Sequence, residues 1–415
     1  MKAANLLPII VIVLLIGACA PTPVVNVPTD TPTAAVTSEP ASPTPAIESP
    51  TPVADQTSPT PPPPPQGQSQ YIAYVRAEQL LVTDITNGVP GGTTQYTMPG
   101  QNDRVFDLTW SPSGDFVAYT APVQGEGHIF YIFARGDSSP TDLGLGSSPS
   151  WSPDSKSLAY VRGPYPDDNI WMTSIDNPSP HPLSFETNHA WGRPVFTPDG
   201  SALIVSTADR LNMGAQANTF FTLESLALDG SGTRAPLPGA SKLDGVRLPF
   251  DLRFSPDATR LAFSTSFHLS ACASPGYYYV SQPDGSNMQQ FTSPSLTPVL
   301  SAAPERYFVG LDYDWTATSD AIIANGIVTD CDINSPTMGL VVGGPQMSIL
   351  RPDGTEGLII PGMFHSLSTD RTGTLVAAAH YQDIQDQNPM VEIYSLQTGQ
   401  MVLSLGPGNG PQLQP

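Results

Sequence analysis

Cations are scarce in this chain. Lys and Arg together number 16 in 415 residues, against 37 Asp plus Glu, for a formal net charge of −21. Nucleic acid is therefore excluded as a partner, because phosphate binding needs clustered cations. Three cysteines are too few for a disulfide-built scaffold or a cysteine-rich zinc module. The six histidines form no i, i+4 pair and no Cys-spaced pair, so no metal-binding motif is present and no cofactor is expected. A Gly-x-Ser-x-Gly elbow is also missing, which removes α/β-hydrolase chemistry. Charged residues make up 13% of the chain, against about 25% in an ordinary domain. The surface must be built mainly from Ser, Thr, Gly, Pro, Asn and Gln.

What the chain has in abundance is a repeated phrase. Trp110 opens WSPSGDFVAY, Trp151 opens WSPDSKSLAY, Phe196 opens FTPDGSALIV and Phe254 opens FSPDATRLAF. Weaker copies begin at Trp315 (WTATSDAIIA) and Leu367 (LSTDRTGTLV). Subtracting these positions in order gives spacings of 41, 45, 58, 61 and 52 residues. Each phrase reads as strand, tight turn, strand. Pro presets φ, Asp bonds its own backbone and Gly accepts positive φ. The run after each turn is apolar and β-rich, as a strand buried on both faces should be. A period of this length with four strands per unit marks a propeller blade.

The ends of the repeat region suggest how the ring closes. Tyr71–Arg76 (YIAYVR) matches Leu158–Arg162 (LAYVR), a second strand with no first strand ahead of it. Gly406–Pro415 (GPGNGPQLQP) resembles Leu143–Pro153 (LGLGSSPSWSP) and then stops. The expected fold is thus an all-β, seven-bladed propeller over residues 70–415, with a C-terminal strand completing the first blade. Six blades follow if the final segment is only a tail. The repeated phrase resembles the TolB-like (WD40-like, PD40) propeller family. That resemblance implies a disc around a central channel and a binding role, without fixing a ligand.

The front of the chain reads differently. Lys2 and the largely apolar Leu6–Ile16 form a signal peptide over residues 1–18. Ile16-Gly17-Ala18-Cys19 resembles the lipobox of bacterial lipoproteins, which implies cleavage before Cys19 and acylation of its sulfur, including palmitate. The other reading is an ordinary signal peptide that contains a cysteine. Residues 19–69 are low-complexity Pro, Thr and Ser and carry too little apolar content to fold. Such chain extends at roughly 3 Å per residue, enough to hold a domain on the order of 100 Å from a membrane. Cys272 and Cys331 fall in equivalent loops of adjacent units, so a disulfide between them is expected in an exported protein.

Candidate site residues cluster near the channel. A carboxylate recurs three places before the aromatic, at Asp107, Asp251 and Asp312, with Arg193 at that place in another unit. Blade-joining segments add Arg104, His189, Trp191 and Arg247, and His365 falls near the channel. These residues are the expected ligand-binding set at the channel mouth. The alternative is that Asp and Arg pair between blades and hold the sheets in register. Ser206–Thr219, Ser264–Gly276, Asn325–Thr337 and His380–Pro389 read as long loops on one face, where binding residues collect. Asp154, Asp199 and Asp257 belong to the turns.

These observations predict an envelope protein, anchored to a bacterial membrane through lipid only, that binds an envelope or extracellular protein, peptide or glycan. No catalytic residue is assigned. Two alternatives remain open: a hydrolase or lyase acting on polysaccharide through the channel carboxylates, and a structural envelope component.

Overall fold

The computed structural model describes residues 70–415 apart from 78, 87–88, 97–105, 124–125, 134–138, 164–167, 188, 210–221, 239–248, 267–275 and 384–385. The signal segment, Cys19 and the stalk lie outside the described residues. So do Arg104, Arg247 and Cys272.

The described strands are antiparallel meanders. Three strands, β1 (Tyr71–Arg76), β2 (Gln79–Asp84) and β3 (Thr93–Tyr96), form the first group. Next come β4 (Phe106–Trp110), β5 (Phe116–Val123), β6 (Glu126–Phe133) and β7 (Thr141–Leu145). The third group is β8 (Ser147–Trp151), β9 (Ser157–Arg162), β10 (Asn169–Ser174) and β11 (His181–Pro182). In the fourth, β12 (His189–Trp191) and β13 (Val195–Phe196) both pair with β14 (Ala202–Asp209), followed by β15 (Thr222–Ala227) and β16 (Arg234–Pro236). Pro194 splits that inner strand, because proline has no N–H to give the ladder.

The remaining strands complete the pattern. The fifth group is β17 (Pro249–Phe254), β18 (Leu261–Ser266), β19 (Gly276–Ser281) and β20 (Gln289–Phe291). The sixth is β21 (Arg306–Trp315), β22 (Ile322–Asp330), β23 (Val341–Leu350) and β24 (Glu356–Pro361). One parallel bridge, Gly276 to Val309, joins these two. The last full group is β25 (Met363–Thr369), β26 (Leu375–Tyr381), β27 (Met390–Ser395) and β28 (Met401–Pro407). The final strand, β29 (Asn409–Leu413), pairs with β1 rather than with β28. It supplies the inner strand that the first group lacks.

Apolar packing runs between the groups. Trp110, Val117 and Tyr119 pack on Ala73, Leu80 and Val82 of the first group. At the closure, Leu413, Ile72 and Tyr74 pack on Ala377, Val391 and Ile393. Each intervening pair of neighbours shares a cluster of the same kind. Side chains on both faces of the strand that follows each turn, such as β9, β22 and β26, are therefore buried, which explains the uninterrupted apolar runs there.

The turns bear out their sequence reading. Asp154 Oδ1 accepts from Ser152 Oγ at 2.6 Å and from Lys156 N at 3.1 Å. Asp199 and Asp257 repeat this with Thr197 and Ser201, and with Ser255 and Thr259. Gly114 takes the left-handed position with φ 72°, and a Cβ there would lie 2.6 Å from Nε2 of Gln414. Ser155 and Ser319 accept the same left-handed strain, at φ 63° and 60°. Their hydroxyls bond a neighbouring turn, accepting from Ser113 N at 2.9 Å and Asp257 N at 3.0 Å. The less suitable residue thus contributes an inter-group hydrogen bond.

The expected long loops begin later than the sequence suggests. Strands β14, β18, β22 and β26 run on to Asp209, Ser266, Asp330 and Tyr381. Asn325, expected to start a loop, is fully buried in β22. Gly326, which reads as a breaker, is a strand residue because a Cβ there would lie 2.5 Å from the Phe308 ring. A short helix, α1 (Thr297–Leu300), leads into β21. Among the described residues, no helix is long and apolar enough to cross a membrane.

Candidate functional site

The inner strands share a backbone device. Ladder register shifts in β4 between Phe106 and Thr109, in β8 between Ser147 and Ser150, in β17 between Phe250 and Arg253, and in β25 between His365 and Ser368. At each shift one residue is left-handed: Asp107 (φ 56°), Ser148 (56°), Asp251 (54°) and Ser366 (57°). A bulge of this kind leaves a backbone N–H without a ladder partner and re-aims the side chain. Asp tolerates the left-handed conformation, which suits its recurrence at this place.

The expected carboxylates fill those openings. Asp107 Oδ2 accepts from Ser148 N of the next group at 3.0 Å and from Thr120 Oγ1 at 3.3 Å. Asp312 Oδ2 accepts from Leu367 N of the next group at 2.7 Å, while Oδ1 accepts from Tyr313 N at 2.8 Å. Asp314 Oδ2 takes Thr369 N at 2.7 Å. These are stitches between neighbouring inner strands. The indole N–H groups do the same work: Trp110 donates to Gln412 O at 2.8 Å, Trp151 to Thr109 O at 3.3 Å and Trp315 to Arg253 O at 2.9 Å. Where the last unit has no tryptophan, Thr369 Oγ1 donates to Trp315 O at 2.7 Å.

One cluster stands apart. Arg253 lies among three carboxylates, at 2.8 Å from Asp251, 3.2 Å from Asp314 and 3.5 Å from Asp312. Its guanidinium stands 5.0 Å from the Tyr313 ring centre. Arg193 approaches Asp251 to 4.0 Å, but its hydrogen bonds go to Pro149 O, at 3.1 and 2.8 Å. Burial pushes the Asp312 carboxyl up, to about 7, against the pull of Arg253 and with Asp251 adding to the rise. The Tyr278 hydroxyl shares its one proton between the Asp312 carbonyl, at 2.9 Å, and the Asn325 carbonyl, and accepts from Asp312 N at 3.1 Å. Tyr313 donates to the Asp251 carbonyl. Burial pushes both phenols up.

The expected channel-mouth set does not come together as one site. Asp251, Asp312 and Arg193 meet around Arg253, whereas Asp107 serves a different seam. Trp191 is a correction: it is 9% exposed and packs in the core between the third and fourth groups. Its ring lies under the Arg234 guanidinium at 5.4 Å. His189 sits against Trp191, ring centres 5.9 Å apart. The His365 ring packs on Tyr381 at 5.1 Å, and burial holds its pKa below the usual range. Among the described residues, no group of three or more His, Cys, Asp or Glu is placed to hold a metal ion. Within the Asp251–Asp312–Asp314 cluster the Arg253 guanidinium takes the place a cation would need.

The sequence reading missed Arg253 as the hub. Strand alternation carried the signal, since residues two apart share a face. Asp312 with Asp314 is such a pair, whereas Asp251 and Arg253 are brought together across the β17 bulge.

Comparison with known proteins identifies the fold. No family model matches the chain, and no curated protein matches it. Among solved structures, an oligogalacturonate lyase in complex with manganese superposes with a TM-score of 0.52 at 13% identity, over 80% of this chain and 83% of that one. A prolyl endopeptidase gives 0.51 at 11%, over 82% of this chain and 50% of its own length. TolB from Acinetobacter baumannii gives 0.43 at 14%, over 83% of this chain and 67% of that one. The described part of this chain is a β-propeller. At these identities the likeness extends to fold alone.

Proposed function

We propose that this protein is a lipid-anchored, extracytoplasmic propeller whose work is to bind a polypeptide, and that it is not an enzyme. One observation carries the reading: each inner-strand carboxylate expected as a channel ligand is engaged in joining neighbouring strands or in pairing with Arg253. A glycosidase needs one carboxyl free to give a proton and another free to attack or activate water. Asp107 and Asp312 are committed to strand seams, and Asp251 to the Arg253 guanidinium. The scaffold is thus stiffened at its centre and free to present loops at its rim. The lipobox-like Ile16–Cys19 and the Pro/Thr stalk support placement at the outer surface of a bacterial membrane. A glycan in place of the polypeptide is the second reading, supported by the many uncharged polar residues of the surface.

Two measurements test this. Cys19→Ala should move the full-length chain from the membrane fraction to the soluble fraction. Immobilised full-length protein should retain one envelope polypeptide, and should still retain it after Asp107→Asn. Turnover of a soluble polysaccharide with no polypeptide retained would overturn the reading.

A further inference from the structure

We infer that the β22–β23 hairpin is a docking arm for a polypeptide that offers an apolar cleft with a basic rim. The inference rests on the binding role proposed above and names the surface and the partner's chemistry. Strands β22 and β23 are 9 and 10 residues long, against 6 each for β9 and β10 and 8 each for β5 and β6. At about 3.3 Å per residue the hairpin reaches roughly 10 Å further than β9–β10 and roughly 5 Å further than β5–β6. The extension lies at the Arg306–Asp330 end of the ladder, opposite the turn that follows Trp315.

The loop at its tip is rigidly built. Asp330 accepts Ser335 Oγ at 2.8 Å, Thr337 Oγ1 at 2.6 Å and Asp332 N at 3.0 Å on its carboxylate. Its backbone bonds Leu340 O at 3.1 Å and Gly339 N at 2.7 Å. Cys331 N reaches across to Glu305 O at 2.8 Å. Despite this internal order, Ile333, Leu340 and Met338 remain 78%, 55% and 47% exposed. A loop held this firmly loses little conformational freedom on binding, and apolar side chains gathered on one exposed loop mark an interaction site.

Charge selects the occupant. From Cys272 to Pro415 the sequence holds 3 Arg, no Lys and 13 Asp or Glu. Glu305 and Asp332 flank the tip. A basic rim on the partner complements this field, and like charge disfavours a second copy. Three projecting side chains also fall well short of the roughly 800 Å² per partner of a stable dimer. The chain's own stalk cannot supply the rim, because residues 20–70 hold four carboxylates and no Lys or Arg. An anionic leaflet would repel the same surface.

The test uses full-length protein in detergent and a random twelve-residue peptide phage library. Selected peptides are remade and their affinity measured by fluorescence anisotropy, on the wild type and on an Ile333→Ser/Met338→Ser/Leu340→Ser variant. All three positions are exposed, so the variant should melt at the wild-type temperature. The expected result is peptides that combine an apolar core with Lys or Arg. Their affinity should fall at least tenfold in the variant, and should weaken with salt less steeply in Glu305→Gln/Asp332→Asn. Peptides that bind the variant within twofold of wild type would sink the arm and leave the binding role standing. No enrichment at all would overturn both. Binding to neutral phosphatidylcholine vesicles in place of peptides, or a sedimenting dimer lost in the variant, would reassign the arm and overturn the inference.

Discussion

Leu413→Ala tests the closure of the ring. Leu413 is 2% exposed in the final strand and packs among Ile72, Tyr74, Leu81, Val391 and Ile393. Removing three buried carbons forfeits about 2.4 kcal/mol of transfer free energy at about 0.8 kcal/mol each. A cavity cost adds to this only if the strand stays in place. Four hydrogen bonds that do not involve the leucine side chain hold it there. Leu413 N donates to Ser368 Oγ at 2.9 Å, Gln414 N to Tyr71 O at 2.8 Å, Trp110 Nε1 to Gln412 O at 2.8 Å, and Gln414 Nε2 to Gly114 O at 2.6 Å. The cavity therefore stays open, and the loss should reach about 3–4 kcal/mol, near the middle of the range for such changes. Urea unfolding followed by tryptophan fluorescence measures it, as a lower midpoint at unchanged slope. Met401→Ala, on the outer strand β28 at 50% exposure, is the control and should cost no more than about 0.5 kcal/mol. A loss below about 1 kcal/mol for Leu413→Ala, or equal losses at the two positions, would refute the closing role of β29.

Other perturbations separate the seams. Trp315→Phe keeps an aromatic ring but loses the bond to Arg253 O and two buried ring carbons, and should cost about 2–3 kcal/mol in the same urea assay. Asp312 has a folded pKa of about 7, above its ordinary value. Its stabilising contribution is thus full below about pH 4 and lost as pH rises through 7. Wild-type stability should fall across that window relative to Asp312→Asn, in which this group no longer titrates, and parallel pH profiles would contradict the reading. Peptide mapping without reductant should recover Cys272 joined to Cys331, and reduction should lower stability by roughly 2–4 kcal/mol. Two separate thiol peptides would contradict that pairing.

Much of the fold was legible because the turns repeat. Ser-Pro-Asp-Gly and its variants locate the inner and second strands in every unit where they occur, and YIAYVR with the closing GPGNGPQLQP marks the shared first group. The last unit shows where the reading blurs. Its turn, Asp370–Gly373, places Thr369 and not Leu367 at the aromatic position, and Thr369 replaces the missing indole with a hydroxyl bond. Strand β22 was obscured because Asn325 and Gly326 look like breakers. A ring from another strand fills the space beside Gly326, and the amide of Asn325 reaches the Phe364 carbonyl of the next group. Such contacts come from residues distant in sequence and leave no local signal. Candidate aspartates were found by their place before the aromatic, but their role was not. Whether a carboxylate faces a ligand or a neighbour's N–H depends on bulges that the pattern does not reveal.

Photo-crosslinking from the arm in intact cells shows whether a polypeptide docks there. A photoreactive residue in place of Ile333 is compared with one in place of Val89, which is 65% exposed but lies in the first group, away from the arm. One adduct is expected from position 333, mapping to a polypeptide segment rich in Lys or Arg, and none from position 89. Equal adducts from both positions, or none from 333, would contradict docking at the arm.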